Sequence, residues 1–451
     1  MHRLVTNTRL VITSARFTRS ESYPFGCMHV NDPAASFDNV GAPPAAACGR
    51  AVFPLARPAR RGWRAAATLP IRVAAGCAIA TSSRADRSST RRQPVEDGRQ
   101  LAELAEVAGL VAPVAAARLG LAPEALGPMR VVEATDINQG RGVFSRVLRL
   151  TVAVPGTTPA PEAEPGWDDG PGPDRERLTL VAKFPVGGPN GEAARRSGAY
   201  RREALAYRRI LPRSPVRTPR AELVVDLPDG GVLLVLDDLS DRRRVDQLDG
   251  LDGDDALAVA RALAGFHRHW AGNPELDRLP VRRSVPSGLA AEGLRAGLRT
   301  LDGRWSTVVP ERERRAFRHL VGRREELADA FSRAGPATLC HGDPRADNLV
   351  FDPDGVPVLF DWQQLAVQFG PADLAWLAAT SLTTGVRREV EPDLVAGYGT
   401  TFDLYRLGLV LPGLAVLFLA QRQLDDQRSR RFVAASLRRI GAALVDLDPA
   451  G

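Results

Sequence analysis

The chain has 451 residues, of which 44% are hydrophobic and 25% are charged, so it is neither a fibre, nor a mini-protein, nor a largely disordered chain. The formal net charge of +7 is uneven, because residues 1–100 hold 15 Arg and 6 acidic residues whereas the remaining 351 residues hold 45 basic and 47 acidic residues. Since that second part is close to neutral, we expect no nucleic-acid-binding face on it. Binding of nucleic acid by the basic leader alone is a weak alternative.

Residues 1–97 form an Arg-rich leader that we predict to be disordered, since Arg, Ala, Ser and Pro dominate it without regular apolar spacing. Its composition suits an organellar transit peptide, with a start residue assigned too far upstream as the alternative, and it lacks the pattern of a secretory signal.

The cysteines and the apolar runs limit the cellular setting. Only Cys340 of the four cysteines lies outside the leader, which excludes a disulfide within that part and favours a reducing, cytoplasmic setting. The apolar runs 65–80 and 407–420 are too short to span a bilayer, so we expect no membrane anchor.

Residues 98–236 are predicted to be strand-rich. A helix is expected near 101–108, where Leu and Ala recur at helical spacing. Three runs rich in β-branched and other apolar residues predict strands at 131–133, 144–154 and 178–184. A loop dense in Pro and Gly, 155–175, separates the last two strands.

Residues 237–447 are predicted to be helix-rich. Apolar residues recur at helical spacing in five segments, namely 254–270, 311–333, 372–382, 402–421 and 430–445. One tight hairpin, 349–360, interrupts these helices. We therefore expect two lobes of different composition, 98–236 and 237–447, after the leader.

The hairpin is the most informative segment, because it brings polar residues together. Asp352-Pro353-Asp354-Gly355 suits a type I turn, so the apolar residues on either side of it are expected to pair antiparallel. Asn348 then enters the first strand at the end where Asp361 leaves the second, and Asp343 lies on the loop just before them. An amide oxygen and a carboxylate suit Mg²⁺ bound to phosphates, with Asp343 left for an attacking hydroxyl.

The sequence of this segment resembles the catalytic loop of the aminoglycoside, choline and ecdysteroid-kinase-like phosphotransferases. His341-Gly342-Asp343 is followed after four residues by Asn348, and the hairpin ends in Asp361-Trp362. Gly370-Pro371-Ala372-Asp373-Leu374-Ala375 is similar to that family's Gly-x-x-Asp-Leu-Ala element, whose Asp braces the loop. The resemblance is good over about 130–380 and loose at the ends.

The resemblance implies an α+β, bilobal protein-kinase-like fold, with an antiparallel sheet plus helix in the N-terminal lobe and a mainly helical C-terminal lobe. It implies that Asp343 orients and deprotonates the acceptor hydroxyl, that Asn348 and Asp361 hold Mg²⁺, and that ATP is the co-substrate. His341 is expected to anchor the loop by hydrogen bonding rather than to transfer a proton, and Asp347 is given a structural role.

Lys183 is the only lysine among the 60 basic residues of the chain, and it lies in Leu180-Val181-Ala182-Lys183-Phe184 on a predicted strand. Lysine is a compact point charge that can lie between phosphates and a carboxylate, where the bulkier, planar Arg does not fit. Its position is similar to that of the phosphate-anchoring lysine of kinases. A stray exposed lysine on a strand edge is the alternative.

Glu203 is the expected partner of Lys183. Tyr200 and Tyr207 mark the inward stripe of the following helix, and Glu203 lies on that stripe, where a buried cation is needed to offset its desolvation. The run from Glu203 to Tyr207 also resembles the family's Glu-x-x-x-Tyr. Glu192 is the weaker candidate, and an ordinary solvated Glu203 is the remaining alternative.

Two weaker signals concern the nucleotide. Gly140 and Gly142 lie between two predicted strands and allow close approach of the backbone to phosphates, although a plain hairpin turn has the same sequence. The apolar strand ending at Asp237 and Leu239 resembles the hinge between lobes, whose backbone would bind adenine. The alternative is a strand that simply ends in a loop.

The predicted function is ATP- and Mg²⁺-dependent transfer of the γ-phosphoryl group to a hydroxyl of a small molecule. A nucleotide-binding pseudokinase or scaffold without turnover is the alternative. A protein acceptor is disfavoured, because only eight residues separate Asp361 from Gly370, and Gln363 stands where a protein kinase carries glycine. The sequence specifies neither the acceptor nor the oligomeric state.

Overall fold

A computed structural model of the chain describes residues 130–138, 144–153, 177–283, 291–424 and 426–448. The predicted leader and the helix predicted near 101–108 lie outside these residues, as do Gly140 and Gly142. The predicted boundaries of the leader and of the two lobes stay predictions.

The described residues form ten strands, which confirm the three strands predicted before residue 190. They are β1 (Arg130–Asp136), β2 (Ser145–Ala153), β3 (Arg177–Pro185), β4 (Ala221–Asp226), β5 (Val232–Asp237), β6 (Arg282–Arg283), β7 (Ala337–Cys340), β8 (Leu349–Phe351), β9 (Pro357–Leu359) and β10 (Ala366–Phe369).

Eleven α-helices lie in the same described part of the chain. They are α1 (Gly188–Arg196), α2 (Ala199–Leu205), α3 (Gly253–Trp270), α4 (Ala291–Asp302), α5 (Glu311–Gly322), α6 (Arg324–Arg333), α7 (Pro371–Ser381), α8 (Thr384–Tyr398), α9 (Phe402–Gly408), α10 (Val410–Ala420) and α11 (Gln427–Leu447).

The first five strands form one antiparallel sheet in the order β1-β2-β3-β5-β4. Successive side chains of a strand point to opposite faces, so one face can be apolar. In β2 the buried apolar residues are Leu148, Leu150 and Val152, and they pack with Leu180 of β3 and Val235 of β5. This apolar face gives the sheet its own core.

Helix α2 is the helix of this first lobe that carries Glu203. It continues without interruption into a π-helical turn, Ala206–Ile210, and its inward residues Tyr200, Ala204 and Tyr207 are buried. The buried stripe agrees with the predicted spacing. It places Glu203, which is only 2% exposed, against the sheet and not in solvent.

The second lobe is mainly helical and surrounds α3 and α7. Leu263, Phe266 and Trp270 of α3 are almost fully buried, and α7 has nine buried residues among its eleven. Two small sheets complete this lobe, β6-β10-β7 and the hairpin β8-β9. The predicted α+β arrangement, an antiparallel sheet with a helix before a mainly helical lobe, is therefore confirmed.

Two predicted helices are each divided in the structure. The prediction of one helix over 311–333 is wrong, because Gly322 ends α5 and Arg323 adopts φ −101° and ψ 12° before α6 begins. The prediction over 402–421 is wrong in the same way. Pro412 lacks the N–H that a continuous helix would donate to Gly408, and α9 accordingly ends there.

One described stretch, Phe402–Ala420, meets the length and hydropathy expected of a membrane-crossing helix, with 19 residues and a mean hydropathy of 1.7. Half of its most apolar 18-residue segment is buried inside the protein. Tyr405, Leu409 and Leu417 are fully buried in the core of the second lobe. A helix at the centre of a lobe has the same composition.

Candidate functional site

The hairpin β8-β9 forms as its turn residues predict. The N–H of Gly355 donates to the carbonyl of Asp352 at 2.8 Å, and Leu349 pairs with Leu359. Beyond the last pair, the N–H of Phe360 donates to the carbonyl of Asn348 at 3.0 Å. Asn348 and the residue after Phe360, which is Asp361, therefore lie at the same open end of the hairpin.

Asn348 is oriented by the loop that precedes it. Its Nδ2 donates to the backbone oxygen of Asp343 at 2.9 Å and to Oδ2 of the same residue at 3.1 Å. The amide nitrogen is thereby engaged, so the amide oxygen is the atom that this side chain offers to a cation. Carboxylate and amide oxygens suit Mg²⁺, and the pair formed by Asn348 and Asp361 fits that ion.

Asp361 has a left-handed backbone, with φ 63° and ψ 60°, which Asp tolerates better than most non-glycine residues. Its Oδ1 accepts from Nζ of Lys183 at 2.7 Å, and its Oδ2 accepts from Nε2 of Gln363 at 3.2 Å. The carboxylate is thus fixed from two sides. It joins a loop of the helical lobe to strand β3 of the sheet.

Lys183 lies between two carboxylates. Its Nζ is 2.8 Å from both carboxylate oxygens of Glu203 and 2.7 Å from Oδ1 of Asp361. Glu192, the weaker candidate for this contact, is exposed and pairs instead with Arg196 on its own helix. The structure therefore brings together Lys183, Glu203 and Asp361.

The cluster holds two acids and one base, and its pKa values follow from that imbalance. Burial lowers the pKa of Lys183, but the charges of Asp361 and Glu203 outweigh it and hold that pKa above its ordinary value. Burial raises the pKa of Glu203 to about 7, against the opposing charge of Lys183. Burial also acts to raise the pKa of Asp361, yet Lys183 holds it below its usual range.

Asp343 has one donor, Trp376, that the sequence did not reveal. Nε1 of Trp376, on α7, donates to Oδ1 at 2.9 Å, and Nε of Arg345 lies 3.7 Å from Oδ2. Burial raises the pKa of Asp343, and the nearby charge of Asp361 adds to this effect, while Arg345 opposes it. A carboxylate with a raised pKa accepts a proton more readily near neutral pH.

The loop that carries Asp343 is braced by Asp373 of α7, as the resemblance implied. Its two carboxylate oxygens accept from the backbone N–H groups of His341 at 2.6 Å and Gly342 at 3.0 Å. Gly342 has φ 82°, and a Cβ there would collide with the carbonyl oxygen of Gln364. Glycine is therefore required at this position of the loop.

His341 anchors the loop, in agreement with the prediction. Its Nδ1 accepts from the N–H of Asp343 at 3.3 Å, which leaves Nε2 to donate to the carbonyl of Phe360 at 3.0 Å. The ring also packs on Trp362, with centroids 4.4 Å apart. Both nitrogens of the ring serve the geometry of the loop.

A buried polar network lies behind Asp373. Nε2 of His267 is 3.2 Å from Oδ2 of Asp373, and Nδ1 is 2.6 Å from the hydroxyl of Tyr398. Cys340 lies in the same group, and its thiol has a pKa well above the ordinary value because it is buried. Both ring nitrogens of His267 are therefore engaged within this network.

The predicted hinge lies beside the lysine strand. Leu180 pairs with Asp237 and Lys183 with Leu234, so the end of β5 lies three residues from Lys183, or about 10 Å along the strands. The carbonyl of Leu239 accepts from the N–H of Arg242 at 3.1 Å. These contacts fix the segment, while its binding of adenine stays a prediction.

Arg202 is a further buried residue that sequence reasoning missed. Its Nε donates to the carbonyl of Gln363 at 2.9 Å, and it also bonds the carbonyl of Ser197. Arg202 therefore links helix α2 to the segment that follows Asp361. The only signal in the sequence was its position beside Glu203.

The comparisons with known proteins concern the family and the fold of the chain. The model of the phosphotransferase enzyme family matches residues 173–409, more than half of the chain. A search of curated proteins found no match.

Solved structures of three phosphotransferases are similar to the chain. One is a spectinomycin phosphotransferase in complex with ADP and spectinomycin, at 13% identity and a TM-score of 0.46, with 76% of this chain and 98% of that chain covered. Another is a type I macrolide 2'-phosphotransferase, at 17% identity and a TM-score of 0.42, with 75% of this chain and 97% of that chain covered. A microcompartment-associated aminopropanol kinase is 13% identical, with a TM-score of 0.44 and 70% and 91% covered.

Proposed function

Because the chain belongs to the phosphotransferase enzyme family, we propose that it transfers the γ-phosphoryl group of ATP to a hydroxyl of a small molecule in a Mg²⁺-dependent reaction. The observation that carries this proposal is the 2.7 Å contact between Lys183 and Asp361. It brings the cation expected at the phosphates and a carboxylate expected at the metal to one point. Asn348 and Asp343 adjoin that point.

In this proposal Asn348 and Asp361 would hold the metal through oxygen atoms. Bound with the nucleotide, Mg²⁺ would neutralise charge on the β- and γ-phosphates. Lys183 keeps Glu203 as one partner and has a second contact, to Asp361, that phosphate oxygens can replace. Glu203 thus holds the ammonium in place while its second partner changes.

Asp343 is the proposed base. The acceptor oxygen forms a bond to the γ-phosphorus, the bond from that phosphorus to the bridging oxygen of ADP breaks, and the hydroxyl proton passes to Asp343. Trp376 and Asn348 orient the two carboxylate oxygens for this role. The raised pKa of Asp343 favours acceptance of the proton.

A small acceptor is supported by the segment between Asp361 and Gly370. Residues 362–364 form a 3₁₀ turn, and β10 pairs with both β7 and β6. The whole segment is therefore folded into the lobe, and it offers no long loop on which a protein substrate can dock.

The test is ADP formation by the purified chain with Mg²⁺, ATP and a panel of hydroxylated metabolites. Asp361→Ala should lower turnover by about 10³-fold, because it removes a group that stabilises developing charge. Asp347→Ala is the control, since Asp347 is an exposed acid in the same loop, and it should keep the wild-type rate. Nucleotide binding without turnover for every acceptor would instead identify a pseudokinase.

A further inference from the structure

Arg345 lies two residues after Asp343, and its backbone is fixed on both sides. Its N–H donates to the carbonyl of Asp343 at 2.9 Å, and its carbonyl accepts from the N–H of Asn348 at 2.8 Å. Its guanidinium lies 5.6 Å from the ring centroid of Phe432, on α11. The side chain is therefore held at the edge of the candidate site.

The guanidinium of Arg345 makes no hydrogen bond with the described residues. Its Nε is buried and has no hydrogen bond, and no described residue accepts one from the other guanidinium nitrogens. The contact with Asp343, at 3.7 Å, is longer than a hydrogen bond. Arg428 at the same end of α11 differs, because Asp246 accepts from it at 2.8 Å.

Leaving a buried donor of a charged group unpaired costs free energy, so an acceptor is expected at this position during function. The Nε of Arg345 lies 3.7 Å from Oδ2 of Asp343, and the carboxylates of Asp347 and Asp361 also act on the charge of its guanidinium. In the proposed reaction the phosphoryl group moves from the nucleotide, near the metal-binding Asp361, to the acceptor hydroxyl, near Asp343. It therefore passes between these two acids. Its oxygens are acceptors of the kind that a guanidinium binds.

We propose that Arg345 is a further catalytic residue, whose guanidinium donates hydrogen bonds to the oxygens of the phosphoryl group during transfer. The inference rests on the proposed function. The charge that collects on the transferred group is stabilised by a donor already in place, so the largest effect falls on the transition state. The proton still goes to Asp343 and the leaving group is still ADP.

An acidic group on the acceptor is the other source of an oxyanion at Arg345, and it predicts a different result. A contact to the acceptor affects only acceptors that carry a carboxylate or phosphate. A contact to the transferred phosphoryl group affects every acceptor, including water. Hydrolysis of ATP in the absence of any acceptor therefore separates the two.

The experiment measures Mg²⁺-dependent ATP hydrolysis and acceptor phosphorylation for Arg345→Ala and Arg345→Lys, with Arg428→Ala as the matched control. Arg428 has a similar exposed fraction, 40% against 32%, but its charge is neutralised by Asp246. Arg345→Ala should lower kcat by about 10²- to 10³-fold for water and for every acceptor, while the KM for ATP changes little. Arg428→Ala should match the wild type.

Two further readouts separate catalysis from folding. Millimolar methylguanidine should restore part of the lost rate to Arg345→Ala, which it does not do for a misfolded protein. Binding of ADP with aluminium fluoride, a mimic of the group in transfer, should weaken more in Arg345→Ala than binding of ATP does.

The inference is overturned if Arg345→Ala hydrolyses ATP at the wild-type rate, if only acidic acceptors lose affinity, or if methylguanidine restores nothing. Equal weakening of both nucleotide complexes would also overturn it. A wild-type chain that never turns over ATP overturns the proposed function itself, and the inference with it. A fully active Arg345→Ala in a turning-over enzyme removes the inference alone.

Discussion

Glu203 and Asp373 are both almost fully buried carboxylates behind the candidate site, yet they are stabilised in different ways. Glu203 in the sheet lobe is matched by one cation, Lys183. Asp373 in the helical lobe is matched mainly by the backbone N–H groups of His341 and Gly342. A side-chain cation can exchange partners, whereas a backbone bracket cannot without unfolding the loop. The sheet lobe therefore holds the adaptable part of the site and the helical lobe the rigid part.

The largest effect is expected when Asp373, which accepts from the backbone N–H groups of His341 and Gly342, is replaced. Asp373→Ala leaves two buried N–H groups without acceptors, at about 1–3 kcal/mol each, so we expect about 4 kcal/mol lower unfolding free energy. Chemical denaturation monitored by circular dichroism measures this. Asp373→Asn keeps one acceptor and should lose about half as much. A stability close to the wild type in Asp373→Ala would show that the bracket is not what holds the loop.

In the sheet lobe, we instead expect Glu203 to make the unfolding free energy depend on pH. Burial raises the pKa of Glu203 from its ordinary value of 4.5 to about 7. The folded state then binds this proton more tightly than the unfolded state, so the stabilisation is complete below pH 4.5 and is lost as the pH rises through 7. The unfolding free energy of the wild type, compared with that of Glu203→Gln, should fall by up to about 3 kcal/mol over this range.

The wild type and Glu203→Gln share every other titrating group. The pH dependence of the difference between their unfolding free energies is therefore due to Glu203. Denaturation of the two proteins at pH 5, 6, 7 and 8 supplies the difference. A difference that rises with pH would mean that Lys183 dominates the environment of Glu203, and the contrast between the two carboxylates would then be lost.

The stabilisation of Asp343 is intermediate between those of Glu203 and Asp373, because neutral donors and a nearby cation both act on its carboxylate. We expect the smallest effect when one of its donors is removed. Its oxygens accept from neutral donors, Trp376 and Asn348, with Arg345 nearby. Trp376→Phe removes one hydrogen bond to a charged group, so we expect about tenfold lower kcat. Since that bond favours the ionised form, its loss should also move the acid limb of the kcat profile to higher pH.

Trp305→Phe is the matched control for this prediction. Its indole also donates a buried hydrogen bond, to the carbonyl of Ala420, but it lies in another part of the helical lobe. The control should leave the pH profile of kcat in place. An unchanged profile in Trp376→Phe as well would remove Trp376 from the environment of the proposed base.

The features that the sequence predicted correctly depend on short stretches of chain. The hairpin follows from Asp352-Pro353-Asp354-Gly355, because turn geometry depends on four adjacent residues. The inward position of Glu203 follows from helical spacing within one segment. The single lysine was informative for another reason, since its compact charge lies between two carboxylates, those of Glu203 and Asp361.

The features that were missed depend on contacts between distant residues. Trp376 meets Asp343 across 33 positions, and Arg202 meets Gln363 across 161. Neither pair has a local pattern, and the two become neighbours only when the lobes have folded. The break between α5 and α6 was missed because apolar spacing continues across Gly322, so that periodicity alone does not show it.

The use of one lysine in the whole chain also makes the molecule easy to probe chemically. Reagents that acylate amines have a single side-chain target, and that amine lies 12% exposed between two carboxylates that keep it protonated. Acylation should consequently be slow, and the peptide that carries the label is known in advance by mass. Any ligand that draws the ammonium away from its acids changes that labelling rate, so the free and occupied forms of the protein can be told apart without an assay of turnover.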